Sequence, residues 1–163
     1  MFKKILCLTA ALILVSACDS LGSGSGDSAN GGANGAGGHM GSAKPGTQED
    51  LVVNVGDRVF FNYNESDLSA EARATLDRQA AWLKKYPSVA ATVEGHCDER
   101  GTREYNLALG DRRASAVKNY LVADGINASR VKTISYGKER PAVLGSNEAA
   151  WAQNRRGVTV VTP

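Results

Sequence analysis

The sequence predicts an α/β (α+β) sandwich, with helices packed on one mixed sheet in the order β-α-β-α-β-α-β. Three observations support this fold class. Short runs with β-strand character recur along the chain. Longer segments with apolar residues at helical spacing separate these runs, and residues suited to begin or end helices stand at their limits. The alternation favours helices that cover one sheet, although spacing alone does not define the strand order.

The first three elements are predicted between residues 52 and 94. The folded part is expected to begin near Val52, and a β-prone run at 59–63 predicts the first strand. Ser69 is a suitable N-cap for a helix whose apolar residues recur at helical spacing until Pro87 stops it. Apolar residues then alternate with more polar ones over 89–94, which predicts the second strand.

A loop at 95–102 and a long helix follow. This helix is predicted from Arg103 to a C-cap at Gly125. Gly110 inside it costs about 1 kcal/mol relative to Ala, so we expect a close packing contact there. The remaining predicted elements are a strand at 131–136, a helix at 147–153 and a last strand at 158–161.

The first 17 residues have the pattern of a secretory signal peptide. Two lysines precede an apolar run at 5–15 that is too short to span a bilayer comfortably. The residues Val-Ser-Ala before Cys18 resemble a bacterial lipobox, in which the cysteine is acylated and becomes the first mature residue. We therefore expect lipidation at Cys18 and a membrane anchor through its acyl chains. The alternative is an ordinary signal peptide that is cut before an incidental cysteine.

Two regions are predicted after the signal peptide. Residues 18–50 comprise the lipidated cysteine and a flexible Gly- and Ser-rich linker that has too few large apolar side chains to form a core. Residues 51–163 form a single folded domain. This domain contains one cysteine, Cys97, so it has no intramolecular disulfide, and we expect Cys97 to pack as a small buried residue.

Composition and motifs exclude several functions. The chain has 19 Lys and Arg against 17 Asp and Glu, and this near balance gives no basic field that would attract nucleic acid. No nucleophile elbow, phosphate loop or zinc hydrolase motif is present. His96 to Glu99 could suggest a metal cluster, but consecutive strand residues alternate faces and zinc spacings are absent. We predict a structural hydrogen-bonding role for His96, and a protein that is not an enzyme and has no cofactor.

Several separated blocks carry a family resemblance. The sequence reads Thr-Val-Glu-Gly-His-Cys-Asp-Glu-Arg-Gly-Thr at 92–102 and Glu-Tyr-Asn at 104–106. Further blocks are Ser-Tyr-Gly-Lys-Glu-Arg-Pro at 135–141 and Asn-Arg-Arg at 154–156. Together they resemble the signature of the OmpA-like C-terminal domain family, over essentially all of 59–161. The resemblance implies a domain that binds the diaminopimelate-containing stem peptide of peptidoglycan without cleaving it.

The resemblance also implies the site. An Asp in the Gly-His-x-Asp loop and an Arg on the following helix fall on Asp98 and Arg113. Diaminopimelate has free carboxylate and ammonium groups, which suit a forked cation and an anion. Without the family motif, such a pair would more often be an ion pair on the surface, or one that lies behind a site without contacting a ligand. Other residues expected to line the pocket are Thr102, Asn106, Leu109, Tyr63 and Asn64.

Three nearby residues complete the expectations for the site. The family commonly has Asp where this chain has Asn64, which would change recognition of an ammonium group or only the water contacts. Arg112 is expected to be solvated, because adjacent helical positions point about 100° apart. Arg155 and Arg156 are expected to stabilise the last helix and strand and to lie outside the site.

The resemblance implies a lipoprotein of the outer membrane that holds the envelope to the wall and works with TolB and other Tol components during division. Asp19, directly after the predicted lipidated residue, resembles an inner-membrane retention signal, so a general wall-binding lipoprotein at the inner membrane is a second hypothesis. The third is a wall-modifying enzyme, which turnover of purified peptidoglycan would support.

Overall fold

The structure is a computed structural model that describes residues 43–162. The predictions for the signal peptide, for Cys18 and Asp19, and for the linker up to residue 42 lie outside the described residues. Within 43–162, no helix combines the length and the apolar character needed to cross a membrane.

Four helices and four strands follow one another along the described chain. They are α1 (Gln48–Asp50), β1 (Arg58–Phe60), α2 (Ala70–Lys85), β2 (Ala90–His96), α3 (Arg103–Ala123), β3 (Val131–Gly137), α4 (Glu148–Asn154) and β4 (Arg156–Thr162). A π-helical turn covers Leu51–Val55 and a 3-10 turn covers Ala128–Arg130. The strands form one mixed sheet in the order β1-β4-β2-β3. Strands β2 and β3 are parallel, and β4 is antiparallel to β1 and β2. The predicted α/β fold class is confirmed.

The apolar core lies between the sheet and helices α2 and α3. Helix α2 packs against β1, and α3 packs against β2 and β3. The large core side chains are Leu51, Val59, Phe61, Leu76, Leu83, Val93, Val117, Leu121 and Val131. Ser69 caps α2 by accepting a hydrogen bond from the backbone N–H of Ala72, as its position in the sequence predicts.

The folded domain begins before the boundary predicted at residue 51. Thr47 caps α1, and Asp50 is buried. The Asp50 carboxylate accepts hydrogen bonds from the Gly46 N–H at 2.8 Å and from Trp82 Nε1 at 2.9 Å. These bonds, together with one from Asn54, hold the pKa of Asp50 below its usual value. The Asp50 carboxylate anchors the segment before residue 51 to α2. Because this segment is polar, the sequence alone did not indicate that it belongs to the fold.

The first strand is shorter than the predicted run at 59–63. Pairing with β4 ends at Phe60, and the next backbone N–H, from Phe61, donates to the carbonyl of Arg155. Asn64 then adopts a left-handed conformation with φ of 59°, which turns the chain. The residues just after β1 therefore leave the sheet and approach α3.

Two glycines determine how closely α3 approaches the sheet. A Cβ added to Gly95 in β2 would lie 1.8 Å from the carbonyl oxygen of Gly110 in α3. A Cβ added to Gly110 would lie 2.3 Å from Ser135 Oγ in β3. Only hydrogen atoms fit in these gaps, which explains why a residue with poor helix propensity stands inside α3.

We predict that Gly110→Ala destabilises the domain by at least about 2 kcal/mol, because overpacking at this contact outweighs the usual gain of about 1 kcal/mol from Gly→Ala in a helix. Urea denaturation followed by circular dichroism measures the free energy of unfolding. Ser135→Ala in the Gly110→Ala background removes the nearest clashing atom and should recover part of the loss.

The exposed neighbour Asp111 provides the control for this experiment. Asp111→Ala changes the same helix without touching the sheet and should alter the free energy of unfolding by less than about 0.5 kcal/mol. A Gly110→Ala variant as stable as wild type would show that the helix can move away from the sheet without cost.

Candidate functional site

A small cavity of about 50 Å³ opens where the loop after β2 meets the first half of α3 and the segment after β1. Its walls are formed by Tyr63, Asn64, Cys97, Asp98, Arg100, Gly101, Tyr105, Asn106, Leu109, Arg113 and Arg155. Six of the seven residues predicted to contact a ligand are among them. Their role in binding stays a prediction.

Thr102 is the predicted residue that does not line the cavity. Its side chain is the N-cap of α3 and accepts a hydrogen bond from the backbone N–H of Tyr105 at 3.2 Å. The hydroxyl is therefore turned back onto the helix, where it satisfies one of the N–H groups that have no partner within the helix. Thr102 supports the site by starting α3.

Asn106 holds the loop that borders the cavity. Its Nδ2 donates to the carbonyls of Arg100 at 2.8 Å and Thr102 at 3.1 Å. The carbonyl of Asn106 accepts a hydrogen bond from Cys97 Sγ at 3.3 Å. Cys97 is a buried free thiol, as predicted, and burial raises its pKa. The thiol therefore acts as a weak structural donor in this loop.

Arg113 is fully buried and connects three segments of the chain. Its Nε donates to the carbonyl of Glu65 at 2.8 Å, Nη1 to that of His96 at 2.8 Å, and Nη2 to that of Asn62 at 3.0 Å. Burial lowers the pKa of the guanidinium. Arg113 thus joins the end of β2 to the segment after β1, and it holds two walls of the cavity in place. In the described residues it forms no direct ion pair with Asp98.

Asp98 is buried and receives four hydrogen bonds from arginines. Its Oδ1 accepts from Arg100 N at 3.1 Å and Nε at 3.2 Å, and its Oδ2 accepts from Arg100 Nη2 at 2.5 Å and Arg155 Nη1 at 3.4 Å. Burial alone would raise the pKa of Asp98, but the hydrogen bonds from Arg100 and Arg155 hold it below its usual value. The carboxylate is therefore ionised in the folded protein.

The structure corrects the expectation that Arg155 lies outside the site. Besides its bond to Asp98, Arg155 donates from Nη2 to Glu148 Oε1 at 2.7 Å and from Nε to the Phe61 carbonyl at 3.1 Å. Within the part of the chain that the structure describes, its neighbour Arg156 donates to the carbonyls of Asn154 and Arg140 alone, in keeping with the expected structural role. Arg155 is the C-cap residue of α4 and Arg156 is the first residue of β4, so the two side chains leave the backbone at the junction of two different elements.

Arg100 is another cavity residue that sequence reasoning missed. Its guanidinium lies between two aromatic rings, 4.1 Å from the centroid of Tyr63 and 4.0 Å from that of Trp151. Nearby, Tyr105 donates a hydrogen bond to Asn64 Oδ1 at the mouth of the cavity. No local pattern marks these contacts, because they join residues from three separate parts of the sequence. Arg112 is exposed, as predicted.

The cavity is cationic, with three guanidinium groups and a single carboxylate on its walls. Such a site suits a ligand with at least one carboxylate, because guanidinium groups bind carboxylates through paired hydrogen bonds. Within 43–162, no group of three His, Cys, Asp or Glu side chains is arranged to hold a metal ion.

His96 lies at the end of β2, beneath the cavity loop, and its ring is buried. Its Nε2 lies 3.3 Å from Glu94 Oε2, and its ring is 5.5 Å from that of Tyr136. Burial, followed by the charges of Arg156 and Arg140, lowers the pKa of His96 to about 4. His96 is therefore neutral in the folded protein at pH 7.

Comparison with known proteins agrees with this fold. The OmpA family profile matches residues 60–155, which defines the described part of the chain as an OmpA-like domain. The peptidoglycan-associated lipoprotein of Agrobacterium fabrum is 58% identical over 124 residues, which cover 76% of this chain and 70% of that protein. The protein of the same name from Pseudomonas aeruginosa is 42% identical over 159 residues, covering 95% and 94%. The chain therefore belongs to the peptidoglycan-associated lipoproteins of the OmpA family. This is a non-catalytic family, so the chain is not an enzyme.

Solved structures share the fold. The peptidoglycan-associated lipoprotein of Burkholderia pseudomallei superposes with a TM-score of 0.63 and 40% identity, over 65% of this chain and 90% of that one. The C-terminal domain of Helicobacter pylori MotB has a TM-score of 0.62 at 21% identity, over 66% of this chain and 84% of that one. At that identity the similarity to MotB shows the fold alone.

We predict that the neutral state of His96 makes stability depend on pH between about 7 and 4. Because its folded pKa is about 4 and its ordinary value is 6.5, the unfolded chain binds a proton that the folded chain excludes in this range. The free energy of unfolding should fall by about 1–2 kcal/mol between pH 7 and pH 5 in wild type.

The variant His96→Gln lacks this titration and provides the comparison. Urea denaturation at pH 7, 6 and 5 should give a smaller decrease for His96→Gln than for wild type. Both chains keep His39, so its titration cancels. Equal pH dependence in the two chains would contradict the assigned cause.

Proposed function

We propose that this chain is a non-catalytic, lipid-anchored protein that binds peptidoglycan and links the outer membrane of a bacterium to its cell wall. The observation that carries the proposal is the cationic cavity beside the loop 95–102, the part of the sequence that most resembles a wall-binding domain. The names of its relatives, peptidoglycan-associated lipoproteins, support the same function.

The chemistry of the cavity suits the free end of a diaminopimelate stem peptide. A guanidinium has five N–H donors, and three of those of Arg113 bind carbonyls, so at most two are left for a ligand carboxylate. Asp98 has the charge that a ligand ammonium requires. Leu109 and Tyr63 provide apolar surface for the methylene groups between the two ends of diaminopimelate. The site therefore matches a ligand with separated charged groups.

The proposed anchor is a lipid on Cys18, followed by the predicted linker. Residues 19–42 could extend over about 80 Å, which would let the domain reach the wall from a membrane. By the family resemblance, we further propose that the protein acts with TolB and other components of the Tol-Pal system in envelope integrity and cell division. Asp19 favours a second candidate, a wall-binding lipoprotein that is retained at the inner membrane.

The test of wall binding is sedimentation with isolated peptidoglycan sacculi. The chain from Asp19 to Pro163 should pellet with sacculi, and Asp98→Asn and Arg113→Lys should each bind about 10- to 100-fold more weakly. This estimate corresponds to the loss of one charge-assisted hydrogen-bonded contact. Arg112→Lys, which changes an exposed arginine next to the cavity residue, should pellet like wild type.

Each variant must be checked for folding by thermal unfolding, because Arg113 also binds three backbone carbonyls. Wild type that stays in the supernatant would overturn the proposed function. Folded Asp98 and Arg113 variants that pellet like wild type would support wall binding and place it elsewhere on the domain. Release of soluble fragments from sacculi by wild type would favour the wall-modifying enzyme.

We predict that Cys18→Ser moves the protein from the membrane fraction to the soluble fraction of the envelope, because it removes the residue that carries the acyl chains. Cys7→Ser, within the same leader, is the matched control and should leave the protein in the membrane. Density separation of the two membranes then tests the role of Asp19: if Asp19 retains the protein at the inner membrane, Asp19→Ser should shift it outward. A Cys18→Ser protein that stays in the membrane would contradict lipid anchoring at this residue.

A further inference from the structure

The Asp98 carboxylate has no unused capacity for hydrogen bonds in this structure. An ionised carboxylate offers about four lone-pair positions. All four are used, by the backbone N–H of Arg100, by Nε and Nη2 of Arg100, and by Nη1 of Arg155. A ligand ammonium can therefore reach Asp98 only if one of these donors leaves.

The Arg100 side chain is the donor that can leave. Arg155 is held at its other nitrogens by the Phe61 carbonyl and by Glu148, and its side chain is only 8% exposed. The backbone N–H of Arg100 is part of the loop itself. The Arg100 side chain, in contrast, is 29% exposed, and its guanidinium is bound by no backbone carbonyl in the described residues. Its departure would open two of the four positions on Asp98.

A second carboxylate is available for the displaced guanidinium. Glu148 Oε2 lies 3.9 Å from Arg100 Nη1, and the Glu148 side chain is 65% exposed. The rings of Tyr63 and Trp151 lie on either side of Arg100 and attract a cation without fixing the direction of its N–H groups. Arg100 can therefore turn from Asp98 toward Glu148 without leaving the aromatic rings.

We propose that Arg100 is a displaceable counter-ion that controls access to Asp98: a ligand ammonium binds Asp98 by displacing the Arg100 guanidinium toward Glu148. The inference rests on the proposed function, because it concerns the same cavity and an amine-bearing ligand. Arg100 thereby lowers the affinity for every amine that uses Asp98, and it keeps the carboxylate neutralised while the cavity is empty. Arg100 is a specificity-determining residue in this scheme, because it competes with the ligand ammonium for Asp98.

The test compares two soluble stem peptides that end in diaminopimelate, one with a free side-chain amine and one with that amine acetylated. Their affinities for the chain from Asp19 to Pro163 are measured by calorimetry. Arg100→Gln should bind the free amine roughly three- to tenfold more tightly than wild type, since no ion pair has to be broken. The affinity of Arg100→Lys for the free amine should fall between those of wild type and Arg100→Gln. Arg100→Gln should bind the acetylated peptide no more tightly than wild type does.

Arg112→Gln removes an exposed arginine that does not line the cavity and should bind both peptides like wild type. Thermal unfolding checks that each variant is folded. A direct readout comes from nitrogen NMR of the arginine side chains, in which the Arg100 Nε–H signal, assigned by its absence in Arg100→Gln, should shift when wild type binds the free amine.

The outcomes separate this inference from the proposed function. Wild type that binds neither the peptides nor sacculi overturns both. Wild type that binds while Arg100→Gln binds the free amine equally or more weakly overturns this inference alone, since Arg100 would then be neutral to the ligand or a direct contact. If Arg100→Gln gained as much affinity for the acetylated peptide as for the free amine, this inference would likewise be overturned, because the gain would not come from access of the amine to Asp98.

Discussion

The close contact between Gly95 and Gly110 is the constraint on which the site depends. It lets the backbone of α3 lie directly on β2, with no side chain between them. Arg113 follows Gly110 by three residues, almost one helical turn, so it faces the same side of α3 and reaches the His96 carbonyl at the end of β2. A larger residue at either glycine would move α3 outward and separate Arg113 from its partners. The packing of two glycines thus determines the geometry of a charged site.

Arg113 and Asp98 have different functions in the architecture, although the family pattern presents them as a pair. Arg113 binds three backbone carbonyls from separate segments, and such carbonyls would be costly to bury without a donor. Asp98 instead accepts hydrogen bonds from Arg100 and Arg155, two cations that would otherwise repel each other across the cavity. The cavity is thereby formed before any ligand arrives. Preorganisation of this kind reduces the conformational entropy that the protein loses when a ligand binds.

The sequence predicted the succession of strands and helices along the chain, the cap at Ser69 and the packing role of Gly110, because each depends on local spacing or propensity. The family pattern led to Asp98 and Arg113. The misses at Asp50 and Arg155 share one cause, which is that tertiary contacts carry the information. Asp50 enters the fold through a bond to Trp82, 32 residues away. Arg155 reaches Asp98 over 57 residues of sequence, and only the pairing of β4 with β1 and β2 brings them together.

The loop after β2 is at once part of the scaffold and part of the site. Cys97 and Asn106 fix its path, and its exposed end carries Arg100 between two aromatic rings. Because Arg100 of this loop occupies Asp98, a ligand that displaces it as proposed must replace a contact that already stabilises the folded state. The binding free energy of such a ligand would then be the difference between its own contact with Asp98 and the Arg100 contact that it replaces. The proposal therefore implies a modest affinity at a single site. The proposed lipid anchor and linker would compensate for this, because a tether of this kind would keep the domain close to the wall and make rebinding fast.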